Sequence, residues 1–169
     1  MSGAPDVARV LARIDAVEAR LAAHAAAGAP DALTDPDPAS GERWEAGQVW
    51  SHIAEFVPFW HRQTKVVLAA PGGEPAPFGR TKTDEGRLAG IERDRNESPR
   101  ALMERVTRDL ASVRTFVRSL PPEAWDRIGV HPARGEMPLL AIVETFEVKH
   151  LEEHADQLDS LASRQRRGT

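Results

Sequence analysis

Four stretches of the sequence repeat apolar residues at intervals of three and four, and this periodicity limits the chain to packed helices. The clearest is Leu102, Val106, Leu110, Val113, Val117 and Leu120. It predicts a third helix opened by Ser98 as N-cap and Pro99 at the first position, and ended by Pro121-Pro122. Val7, Val10, Leu11, Ile14, Val17 and Leu21 predict a first helix over residues 5–24. A loop follows over residues 27–41, where Asp35-Pro36 and Asp37-Pro38 disfavour helix. The second helix is expected to start after Ser40 as N-cap, with Glu42 in its first turn, and to run to Ala69 before Pro71-Gly72-Gly73. Val49, Ile53, Phe56, Trp60 and Val67 mark its stripe, and Pro58 predicts a kink or a split within it.

Two connections separate the later helices. Residues 71–97 form a long one whose charged part, from Asp84 to Arg95, has room for a short helical turn. Its length lets the second and third helices run parallel. Residues 123–137 form the other, with Trp125, Ile128, His131-Pro132 and Gly135, before a fourth helix over residues 138–164. The whole chain, 1–169, reads as one all-α domain, a four-helix bundle, with 41% hydrophobic and 28% charged residues in helix-forming proportions.

Cysteine is absent, so any metal must sit on His, Asp or Glu, and any thiol must come from outside. No apolar run reaches the roughly 20 residues that span a bilayer, and no basic-then-apolar leader is present, so a cytoplasmic, non-membrane protein is expected. A net charge of -4 disfavours nucleic-acid binding.

The unusual residues are histidines on apolar stripes. His150 and His154 stand about 40° apart around the fourth helix, and one cation can bridge them. His52, beside Ile53 and one turn before Phe56, lies similarly on the second. Taken one at a time, each fits a core histidine satisfied by a carbonyl or carboxylate; taken together, they also fit a shared divalent metal. His150-Leu151-Glu152-Glu153-His154 lacks the general-base glutamate of a zincin, and the tail is too short for the distant glutamate ligand of an inverzincin. Glu147-x-x-His150 fits half of a di-iron site, but the second helix offers only the reversed order, His52 to Glu55.

Trp50-Ser51-His52-Ile53-Ala54-Glu55, His131-Pro132 with Gly135, and His150-x-x-x-His154 followed by Gln157-Leu158 together resemble the DinB/YfiT-like superfamily, over residues 6–161. The resemblance implies an up-down-down-up bundle, often a homodimer, with His52, His150 and His154 as the metal ligands. Zinc or nickel, with iron a third choice, are the implied metals. It also implies a thiol-dependent enzyme, an S-transferase or isomerase using mycothiol or bacillithiol on a small-molecule electrophile. The alternative is a non-catalytic metal- or ligand-binding stress protein of the same fold. Glu147 and Glu55 are candidate catalytic residues, each also readable as a solvated ion-pair partner. His131 is a candidate cofactor-binding residue or a turn residue. His24 and His61 are expected on the surface, and Trp44 and Trp60 are candidates for a dimer face.

Overall fold

The structure is a computed structural model and describes residues 6–168; the predicted helix start at Pro5 lies outside them. Helix α1 (Val7–Ala27) is capped by the Asp6 side chain, which accepts from the Arg9 N–H, and it continues past His24. Helix α2 (Ala46–Ala69) starts later than Ser40. The Asp37 carboxylate accepts from the Ala39 and Ser40 N–H groups, which makes a turn there. Thr34 and Trp44 then bond to each other across the loop, so the intervening chain is closed into a turn outside the helix. Gln48 Oε1, accepting from the Glu45 N–H, secures the true start. Pro58 neither splits nor ends α2. The packed neighbours outweigh the one backbone bond that a proline removes.

The charged part of the long connection is a ten-residue helix, α3 (Glu85–Asp94), capped by Asp84. Ser51 Oγ donates to the Gly90 and Ile91 carbonyls and fixes α3 against α2. At Gly47 a Cβ would lie 2.2 Å from the Arg95 carbonyl oxygen, so only glycine admits this approach. Helix α4 (Pro99–Ser119) begins as expected, with Ser98 Oγ accepting from the Ala101 N–H. The last rod is α5 (Leu139–Ile142), a π-helical segment over Val143–Lys149, and α6 (His150–Gly168).

Named pairs give the helix directions. Arg9 pairs with Glu144, Arg13 with Glu152 and Arg20 with Asp159, so α1 and the last rod are parallel. Arg114 of α4 reaches Asp15 and Glu18, while Ala25 lies by Met103, so α1 and α4 are antiparallel. Arg95 lies against Gly47, and His61 against Phe116, so α2 and α4 are parallel. Phe56 meets His150, and Thr64 reaches back to Glu147, so α2 opposes the last rod. The bundle is therefore up-down-down-up.

Beyond the predicted helices there is a small three-stranded sheet. Strand β1 (Ala76–Pro77) pairs in parallel with β2 (Ile128–His131), which pairs antiparallel with β3 (Gly135–Pro138). It fastens the two long connections to each other beside Val67 of α2. The core joins Val10, Ile14 and Leu21 of α1 with Trp50 and Phe56 of α2, Leu102 and Leu110 of α4, and Leu151, Leu158 and Leu161 of α6. Truncating one of these leucines to alanine costs about 2–5 kcal/mol.

Candidate metal centre

His52, His150 and His154 converge. One donor atom from each lies within 4.8 Å of the others. The ring centroids are 4.8 Å apart for His150 and His154, 4.9 Å for His52 and His154, and 5.2 Å for His52 and His150. The amphipathic stripes turn these rings inward, and the antiparallel crossing of α2 with α6 sets one histidine of the first opposite two of the second.

The surroundings are apolar. Phe56 stacks on His150 at 4.0 Å, while Trp44 lies edge-on to His52 at 5.4 Å and parallel to His154 at 6.5 Å. His52 is 2% exposed and His154 8%. Burial, with His154, Arg87 and Arg80 nearby, pushes the His52 imidazole well below its usual pKa of 6.5. His150 moves the same way, chiefly through burial, and burial lowers His154 to about 4, partly opposed by its bond to Gln157. All three rings are thus neutral near pH 7, the form that ligates metal.

The donors also fit a cation by their hydrogen bonding. Buried and without partners are His52 Nδ1, His150 Nδ1 and His154 Nε2. Each would cost about 1–3 kcal/mol if left so, and one divalent ion bound between the rings relieves that cost. His154 Nδ1 donates to Gln157 Oε1 at 2.7 Å, which leaves the Nε2 lone pair free. His52 Nδ1 is 3.6 Å from Glu55 Oε2, beyond a hydrogen bond. That carboxylate is gripped by Arg80 Nη2 at 2.6 Å.

The other candidates lie elsewhere. Glu147 is buried, accepting from Thr64 Oγ1 at 2.9 Å with Oε2 unpartnered, and burial raises its pKa to about 7. It belongs to the π segment, where the His150 N–H bonds to the Thr145 carbonyl. Each turn there takes an extra residue, so Glu147 leaves the face that regular helical spacing gives it. Being buried, it is not a solvated ion-pair partner. Neither is Glu55, 11% exposed and paired with the buried Arg80.

His131 is buried on β2, stacks on Phe146 at 5.0 Å and accepts the Ala133 N–H at Nδ1. That bond builds the β2–β3 turn, and the ring is not among the three that converge. One expected surface residue is not on the surface: His61, on the far side of α2 from His52, is covered by α4 and meets Phe116 edge-on at 5.1 Å. His24 is partly exposed and bonds to Asp159 at 2.7 Å across the α1–α6 seam. Trp60 is buried and stacks on Phe146 at 4.1 Å, while Trp44 is partly exposed and covers the histidines.

The sequence motif of the DinB superfamily matches residues 14–158. This chain belongs to the DinB superfamily. Among curated proteins none matches. Among solved structures, this DinB protein is similar to YfiT from Bacillus subtilis, described as "a probable metal-dependent hydrolase with an unusual four-helix bundle topology". The TM-score is 0.74 at 18% identity, covering 97% of this chain and 91% of YfiT. It is also similar to a mycothiol-dependent maleylpyruvate isomerase, with a TM-score of 0.68 at 14% identity. There it covers 91% of this chain but spans only 61% of the isomerase. At these identities the likeness is one of fold.

Sequence reading missed the π segment and the roles of Trp44, Phe56, Arg80 and Arg87. Only Gln157, three residues after His154, carried a local signal, because that spacing puts an amide beside an imidazole on one helix face.

Proposed function

We propose that this DinB protein is a metal-dependent enzyme that brings a low-molecular-weight thiol, of the mycothiol or bacillithiol type, to a small electrophile. The observation that carries the reading is the convergence of three neutral imidazoles, each with one buried, unpartnered ring nitrogen, in a chain without cysteine. His52, His150 and His154 would hold the cation; zinc and nickel suit such ligands best, and iron next. When bound, a cation of this kind supplies Lewis acidity that lowers the pKa of a thiol or water in its open position.

The chain's own residues do the rest. Trp44 and Phe56 exclude water and keep the rings neutral, and Gln157 sets the tautomer of His154. Glu55 is a carboxylate that Arg80 holds beside the cluster, and Glu147 is a buried group able to hold a proton beside Thr64. His131 offers a buried, unpartnered Nε2 to a cofactor.

The name of the mycothiol-dependent isomerase supports a thiol, and the description of YfiT supports a metal while pointing to water as the rival nucleophile. The test is electrophile-dependent consumption of a thiol by metal-loaded protein. Loss of that activity in His150→Ala and His154→Ala, with the fold intact by circular dichroism, supports the transferase. Ester or amide hydrolysis with no thiol requirement favours the hydrolase. Full metal loading with neither activity favours the non-catalytic binding protein.

A further inference from the structure

Two guanidinium groups flank the histidine cluster, and their situations differ. Arg80 is committed: Nη2 lies 2.6 Å from Glu55 Oε2, Nη1 lies 3.5 Å from Asp84 Oδ1, and its plane covers the Phe59 ring at 3.7 Å. Arg87 is not. Its head lies 5.5 Å from the Trp44 ring, the same ring that packs on His52 and His154. Nη1 donates to the Lys82 carbonyl at 3.0 Å, and among the described residues no carboxylate lies within ion-pair distance of it.

A half-buried guanidinium without a counter-charge is costly, and five N–H donors with one acceptor leave most of its binding capacity unused. Burial and then the charge of Arg80 lower the Arg87 pKa from its ordinary value, against a partial opposing pull from the Glu55, Glu42 and Asp84 carboxylates, none of which pairs with it. The three histidines contribute no negative charge, and the carboxylate beside His52, Glu55, is already taken by Arg80. A bound divalent ion would add further positive charge to this pocket. The missing element is an anion, and a planar fork suits an oxyanion.

We infer that the substrate of this site carries an oxyanion, a carboxylate or a phosphate-type group, bound by Arg87 while another atom of the same molecule faces the histidine cluster. The inference rests on the metal reading above and names its substrate class. The Arg87 head and the histidines border the same Trp44 ring, so the molecule is bifunctional, with its oxyanion on Arg87 and a second polar group toward the cluster.

The test uses the full chain loaded with cobalt(II), whose visible absorption reports both loading and ligand binding. The probes are hydroxamates, which chelate the metal, with short alkyl tails ending in a carboxylate, a phosphonate or a neutral methyl ester; acetohydroxamate is the tail-less reference. In the wild type an anionic tail should bind about tenfold tighter than the ester, the gain of one charge-assisted contact. Arg87→Met should bring that ratio to within about twofold of one, with Arg87→Lys between, since a point charge keeps the attraction but not the fork. The tighter of the two anionic tails names the oxyanion. The inference is overturned if neither anionic tail is preferred in the wild type, or if the preference survives in Arg87→Met. A protein that takes up no cobalt, shown by the missing band before any probe is added, defeats the metal reading and this inference with it. Uptake without tail preference defeats the inference alone.

Discussion

His154 Nδ1 and Gln157 Oε1 stand 2.7 Å apart on the same face of α6, and this contact decides which nitrogen of His154 faces its neighbours. An amide oxygen only accepts, so Nδ1 carries the proton and Nε2 the lone pair.

Gln157→Ala should therefore weaken metal binding by about 10–100-fold while leaving the fold unchanged, as expected for a residue that orients a ligand without touching the metal. Competition against a fluorescent chelator measures it. Unchanged affinity would show that His154 needs no such support.

Glu147 has a pKa raised to about 7 from 4.5, mainly by burial, with Thr64 holding one oxygen. The folded form thus binds more protons than the unfolded form between those values, and stability falls as pH rises through that window. Glu147→Gln keeps an acceptor for Thr64 and removes the charge. It should stabilise the protein at pH 8 by about 1–3 kcal/mol and have little effect at pH 4, by urea denaturation. An equal effect at both pH values would show that the carboxyl ionises normally.

His61 moves the other way. Burial lowers its pKa to about 4, so the unfolded chain takes up a proton between about 6.5 and 4 that the folded chain refuses. Its contribution to stability is complete above pH 6.5 and is lost as pH falls through that window. His61→Phe should flatten this part of the stability profile, and an unchanged slope would place the titration elsewhere.

Gly79 has φ +84, and a Cβ there would stand 2.6 Å from His131 Cδ2. Gly79→Ala combines backbone strain with displacement of that ring, and should cost about 1–3 kcal/mol. Thermal melting checks it, and a melting temperature within a degree of wild type would contradict the contact.

How much of this was legible in the sequence depends on how local each signal is. The stripes on α1 and α4, with caps such as Ser98-Pro99, are properties of neighbouring residues and were readable. His150 and His154 were readable as a pair for the same reason. The true start of α2 was not, because Asp37 and Thr34 compete for the chain from outside the helix. The π segment was also hidden: one extra residue per turn leaves the apolar residues Val143 and Phe146 in a pattern that a regular helix also permits, yet it turns Glu147 toward Thr64. Arg87 looked like any charged surface residue until tertiary packing set it beside Trp44.

The central claim is that the three histidines share one divalent ion, and elemental analysis of protein purified without an affinity tag tests it most directly. The account predicts about one equivalent of zinc, nickel or iron per chain, lost in His52→Ala and in His154→Ala. Metal below about one tenth of an equivalent, unchanged by replacing His52, would contradict it.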